Sequence, residues 1–96
     1  MTDFDRENID MILRGYGCWF SAYLLRAIKL ASKEDRALFF ISYPEYVKAI
    51  YEASVLDGES NEDFKDMLEL LWMKADAGNK TKLRRCFVEF NKRGHE

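Results

Sequence analysis

Histidine, proline and cysteine are scarce in this 96-residue chain, and each scarcity removes a class of function. The one histidine, His95, is second from the end. A fraying terminus cannot hold a general base in position, so histidine acid–base catalysis is set aside. The two cysteines, Cys18 and Cys86, are far apart and each stands beside aromatic residues. They read as buried thiols rather than a disulfide. Cys86 has no histidine held beside it, which argues against a nucleophile. Pro44 is the one proline, and Ser/Gly-rich stretches are absent, so no linker divides the chain. No segment is long and apolar enough to span a bilayer. The start, Met1-Thr2-Asp3-Phe4-Asp5, is acidic where a secretory signal needs a basic start and an apolar run. The expectation is one cytoplasmic domain over residues 1–96, with no membrane association.

Other chemistry is equally thin. Gly15 and Gly17 make a G-x-G, but no strand precedes it and no third glycine follows, so it is no nucleotide cradle. Glu59, Glu62, Asp63 and Asp66 have the spacing of helix-start charges rather than of a calcium loop. The expectation is a non-enzymatic protein with no metal and no cofactor.

What the chain does have is apolar bulk, 48% hydrophobic and 15% aromatic, and a pattern that nearly repeats. Shifting the sequence by 44 positions (Phe64 minus Phe20) brings Phe20 over Phe64, Leu24 over Leu68, Ala27 over Leu71 and Ile28 over Trp72. Ala31-Ser32 then lies over Ala75-Asp76, Phe39 over Leu83, and Tyr43-Pro44-Glu45-Tyr46 over Phe87-Val88-Glu89-Phe90. The unit is an apolar helix, a capped polar turn and a second helix. This predicts an all-α fold of five or six short helices, with two pseudo-repeated hairpins, residues 17–47 and 61–91, forming one compact bundle.

Periodicity and caps place the helices. Thr2 suits an N-cap, and the stripe Ile9, Ile12, Leu13 and Tyr16 runs on to Gly15 and Gly17, which end the first helix. Trp19, Phe20, Tyr23, Leu24, Ala27 and Ile28 follow a 3.6-residue period. Ser32 with Asp35 resembles a capping box. The run Ala37-Leu38-Phe39-Phe40-Ile41 is apolar on every side, which suits a central core helix or a partly strand-like segment. The helical second copy, 79–90, favours the helix. Pro44 fits the first turn of the next helix, with Tyr46, Val47, Ile50, Tyr51 and Val55 as its stripe and Asp57-Gly58 as its stop. Ser60 is expected to cap a fifth helix carrying Phe64, Met67, Leu68, Leu71 and Trp72. After the turn 76–79, Leu83, Cys86, Phe87 and Phe90 form the last stripe.

Two features point to partners. The stretch 57–69 is acidic and the last stretch is basic, so the two are complementary surfaces of one fold or a self-association pair, as in a homodimer. With the last stripe turned inward, Lys80, Lys82, Arg84, Arg85 and Lys92 are expected mostly in solvent, where they suit phosphates. The spacing of the last two helices is that of a helix-turn-helix, although the first copy is too apolar to read bases. Aromatics are also in surplus. Most should fill the core, but Phe39 and Phe40 are adjacent and their side chains diverge by about 100°. Phe39, Phe40 and Trp19 are therefore the candidates for exposed partner contacts.

The run Trp19-Phe-Ser-Ala-Tyr-Leu-Leu-Arg-Ala-Ile-Lys-Leu-Ala-Ser-Lys-Glu-Asp-Arg36, followed by Tyr43-Pro-Glu-Tyr-Val47, resembles small helical proteins of bacteriophages and prophages. Their pattern is W-F-x-A-x-L-L-R-x-I, then K-A-D-x-x-N-R-x-x-L, then F-P-E-x-V. Lys74-Ala-Asp76, Asn79-Lys80 and Leu83 fit the same turn in the second copy. The chain departs from the pattern at Ser32, where Asp is usual, and at Val88, where the proline is missing. The resemblance implies no catalytic residues. It implies a phage protein in a bacterial cytoplasm that binds a host protein as inhibitor or adaptor. The basic last helix supplies the alternative, a nucleic-acid-associated regulator.

Overall fold

Short polar caps divide the chain into helices. The computed structural model describes residues 1–53, 61–87 and 90. These form α1 (Asp3–Glu7), α2 (Ile9–Leu13), α3 (Phe20–Leu30), α4 (Lys33–Ser42), α5 (Pro44–Ala53), α6 (Asn61–Lys74) and α7 (Ala77–Cys86). No strand occurs among the described residues. Thr2 caps α1 by accepting from the Asp5 N–H, and Ser32 caps α4 by accepting from the Asp35 N–H. Asp76 caps α7, its carboxylate accepting from the Asn79 N–H at 2.8 Å. Each cap satisfies a donor that has no partner inside the helix. Only Tyr43 separates α4 from α5, and Pro44 opens α5 where no N–H is required.

Seven helices stand among the described residues, where the sequence reads five or six. The first expected helix is two, because Asn8 leaves helical geometry at φ −111° and ψ 16°. The last helix is shorter than expected. It ends at Cys86, and Phe87 is extended rather than helical. The link between α6 and α7 is Ala75 and Asp76 alone, tighter than the expected turn 76–79. Val55, Asp57-Gly58 and the Ser60 cap lie outside the described residues.

α3 occupies the middle. Ala22, Leu24, Leu25, Ala27 and Ile28 are fully buried, and the helix packs mainly against α6, α5 and α2. Phe64, Leu68, Leu71 and Trp72 come in from α6, Val47 and Ile50 from α5, and Ile12 and Leu13 from α2. Phe39, Leu83, Cys86, Phe87 and Phe90 complete the core. Phe39 meets Phe87 edge-on at 4.9 Å, and Trp72 stacks on Phe90 at 4.5 Å. The radius of gyration, 12.4 Å, equals that of a typical domain of this length, about 12.5 Å.

Polar contacts fasten the N-terminal helices to this core. The buried Asp5 carboxylate accepts from Trp19 Nε1 at 3.1 Å and from Ser21 Oγ at 2.8 Å. Arg26 donates to the carbonyls of Ile12, Tyr16 and Gly17 at 2.9, 3.1 and 2.7 Å, gathering the end of α2 and the turn after it. Burial pulls the Arg26 guanidinium below its ordinary pKa. The turn itself needs glycine. Gly15 and Gly17 have φ of 115° and 94°, and a Cβ at Gly17 would collide with the Trp19 ring.

Several side chains sit elsewhere than the sequence suggests. Cys18, expected to be buried, is exposed, whereas Cys86 is buried. Tyr16 is exposed because α2 ends before its turn comes round to the core. Phe39, a candidate exposed contact, is fully buried, while Phe40 is 45% exposed. Phe39→Ala and Phe87→Ala should therefore each cost about 3–5 kcal/mol, and Phe40→Ala less than about 1 kcal/mol. Thermal melts of the three variants check this order; equal midpoints for Phe39→Ala and Phe40→Ala would contradict it.

Candidate functional site

α4 does not lie at the centre, as an all-round apolar helix should. It packs on α5 and α7 and meets α3 far less. One side of it is therefore without a closely packed helix among the described residues. Successive side chains advance 100° around a helix. With Phe39 and Arg36 turned inward, Phe40, Ala37, Ile41 and Leu38 sweep an outward arc of about 160°. Ile41 is 60% exposed and Leu38 36% exposed. Adjoining large apolar side chains left in water mark interaction surfaces far better than scattered ones do.

α5 extends this surface with an exposed Tyr51. Between α4 and α5 lies a groove of about 260 Å³, lined by Lys33, Arg36, Ala37, Phe40, Val47 and Tyr51. Arg36 is 9% exposed, with its guanidinium carbon 5.7 Å from the centre of the Tyr51 ring. Its Nε and Nη1 are buried without a hydrogen-bond partner among the described residues. Buried polar groups are nearly always paired, so this arginine is the most unusual side chain in the groove. The described residues that line the groove bring two cations and no carboxylate.

The basic residues of α7 do not form one free face. Lys80 Nζ lies 5.3 Å and the Arg84 guanidinium carbon 5.4 Å from the Trp72 ring centre, and both side chains are half-buried. They cover the tryptophan rather than stand in solvent. Lys82 Nζ lies 5.7 Å from the Tyr43 ring centre. Lys82 and Arg85 are exposed, and Lys92 lies outside the described residues. Trp19 is half-buried and committed to Asp5, with Phe4 and Tyr16 edge-on at 5.8 and 5.7 Å.

A larger cleft, about 360 Å³, is bordered by Phe20, Tyr43, Glu45, Tyr46, Asn79 and Lys82. Two of its polar groups are already engaged. The Tyr43 hydroxyl donates to Asn79 Oδ1 at 3.0 Å, and Glu45 meets the Met1 amino group at 2.8 Å. Burial raises the Tyr43 hydroxyl above the ordinary tyrosine range. Burial also pushes the Cys86 thiol up, against the lowering effect of its hydrogen bonds with Ser42. Neither group is activated as a nucleophile.

Arg36 escapes a reading of the sequence because arginine normally marks solvent. One signal does exist: Arg36, Phe39 and Tyr43 follow i, i+3, i+7 spacing, which places the arginine on the buried stripe of α4. No helix among the described residues is long and apolar enough to cross a membrane. No protein-family model matches the chain, and no curated protein or solved structure matches it significantly.

A buried cation without a partner does little for stability. Arg36→Met keeps the apolar stem and removes the charge. It should melt at the wild-type temperature or above, and a fall of several degrees would show that the guanidinium supports the fold.

Proposed function

We propose that this protein is a non-enzymatic interaction module that docks on a protein partner through the outward face of α4 and the neighbouring part of α5. The observation that carries this reading is the apolar arc of Leu38, Phe40 and Ile41 on a helix whose other side is well packed. Together with the resemblance to phage and prophage proteins, it makes the partner a bacterial host protein, bound in the cytoplasm and inhibited or redirected.

We also propose that the consecutive helix pairs α3–α4 and α6–α7 are copies of one unit whose outer faces have diverged. Support comes from the equal lengths of α4 and α7 and from caps at Ser32 and Asp76. At the 44-position offset, Leu38, Phe40 and Ile41 correspond to Lys82, Arg84 and Arg85. The same helical face is thus apolar in one copy and basic in the other. The exposure of Lys82 and Arg85 keeps a second reading, nucleic-acid binding through α7. The Trp72 contacts of Lys80 and Arg84 reduce the charge free for that role.

A tagged pull-down from bacterial lysate, with and without nuclease, separates the readings. Wild type should retain one host protein in both halves. Phe40→Asp with Ile41→Asp should lose it, while Lys82→Glu with Arg85→Glu should keep it. Retention only without nuclease, abolished by Lys82→Glu with Arg85→Glu, would replace the protein-docking reading with the nucleic-acid one. Matching melting temperatures would show that each variant is folded.

A further inference from the structure

Resting on the docking reading, we infer that Arg36 is the anchor of the surface, and that the partner segment it takes carries a carboxylate next to a bulky apolar side chain. The argument begins with burial. The fold holds Arg36 nine-tenths out of water and leaves Nε and Nη1 without acceptors. Unmade hydrogen bonds of a buried charge are costly within the fold. The same charge becomes an asset when a ligand brings a carboxylate to the part of Arg36 that lines the groove, because a charge pair gains most where water is already largely excluded.

The groove shows what must surround that acceptor. Lys33 adds a second positive charge, while Phe40, Val47 and Tyr51 supply apolar and aromatic walls. The Tyr51 ring, 5.7 Å from the guanidinium carbon, helps hold the cation in place. The volume, about 260 Å³, is slightly below the range of small-molecule pockets and suits one or two side chains of a peptide. A nucleic-acid backbone matches this site less well, since phosphate binding favours cations in solvent rather than one sunk among apolar walls. The occupant is therefore an acidic-apolar peptide segment of a protein, with the acid on Arg36 and the apolar side chain against Phe40.

The test uses a random library of 12-residue displayed peptides, selected on the full-length protein. Enriched peptides should place Asp or Glu within about one helical turn of Leu, Phe, Met or Trp. The best binder is then synthesised with its acid intact and with Glu→Gln or Asp→Asn. Loss of the acid should weaken binding to wild type at least about tenfold. It should change binding to Arg36→Met hardly at all, because the two residues act as a pair. Lys33→Glu gives a second readout at the groove and should also weaken the acidic peptide. No enriched peptide, peptides without an acid, or an equal acid penalty in wild type and Arg36→Met would each overturn the anchor. Peptides that depend on Phe40 but not on Arg36 would overturn it while leaving the docking surface in place. Peptides indifferent to Phe40→Asp would overturn both. Displacement of the peptide by a single-stranded oligonucleotide would point to phosphate instead. A dimer seen by sedimentation and broken by Phe40→Asp would make a second copy of the chain the occupant. Either result would overturn the proposal.

Discussion

Burial of α3 is the constraint from which the rest of the structure follows. Ala22, Leu24, Leu25, Ala27 and Ile28 are all withdrawn from water, and helices this short are marginal without such packing. α6, α5 and α2 cover most of α3. Ala31 and Ser32 are the only residues between α3 and α4. At this corner α4 turns away from α3 and packs on α5 and α7. Its outer side has no neighbouring helix among the described residues. The exposed arc is a consequence of that turn.

Charge is handled differently in three places, and the contrast singles out Arg36. Arg26 is sunk in the structure but its donors meet the carbonyls of Ile12, Tyr16 and Gly17. Asp5 is buried and accepts from Trp19 and Ser21. Both complete the fold and ask nothing of a partner. Arg36 is more deeply buried than Arg26, and its Nε and Nη1 have no hydrogen-bond partner among the described residues, as is also true of Nε in the half-buried Arg84. Of these two arginines, Arg36 is the one that lines the groove between α4 and α5.

Much of the helical layout is legible in the residues themselves. Thr2 and Ser32 announce their helices because a hydroxyl at that position satisfies a free N–H. Pro44 opens α5 for the complementary reason. The stripe of α6 keeps a single period and is buried at Phe64, Leu68, Leu71 and Trp72, whereas burial of α3 also takes in Ala22 and Leu25, outside the expected stripe, and leaves Trp19, Phe20 and Tyr23 half-buried. The run from Ala37 to Ile41 is different, since apolar residues all round a helix carry no information about which side is covered. Phe39 and Phe40 are therefore equal candidates for exposure in the sequence, and only the packing makes Phe39 core and Phe40 surface. Cys18 is misjudged because the aromatics beside it are not fully buried: Tyr16 is exposed, and Trp19 and Phe20 are half-buried at the margin of the core. The long-range contacts are the least visible. Nothing local says that Arg26 reaches Ile12, that Lys80 and Arg84 lie over Trp72, or that Arg36 lacks a partner.

The most direct test of the account is hydroxyl-radical footprinting of the protein alone and bound to the host protein it captures. The account predicts protection gathered at Leu38, Phe40, Ile41 and Tyr51, with Phe4, Tyr16 and Met73, which are also exposed, reacting as in the free protein. Protection centred on Phe4 and Tyr16, or on Met73, with α4 reacting as before, would contradict it.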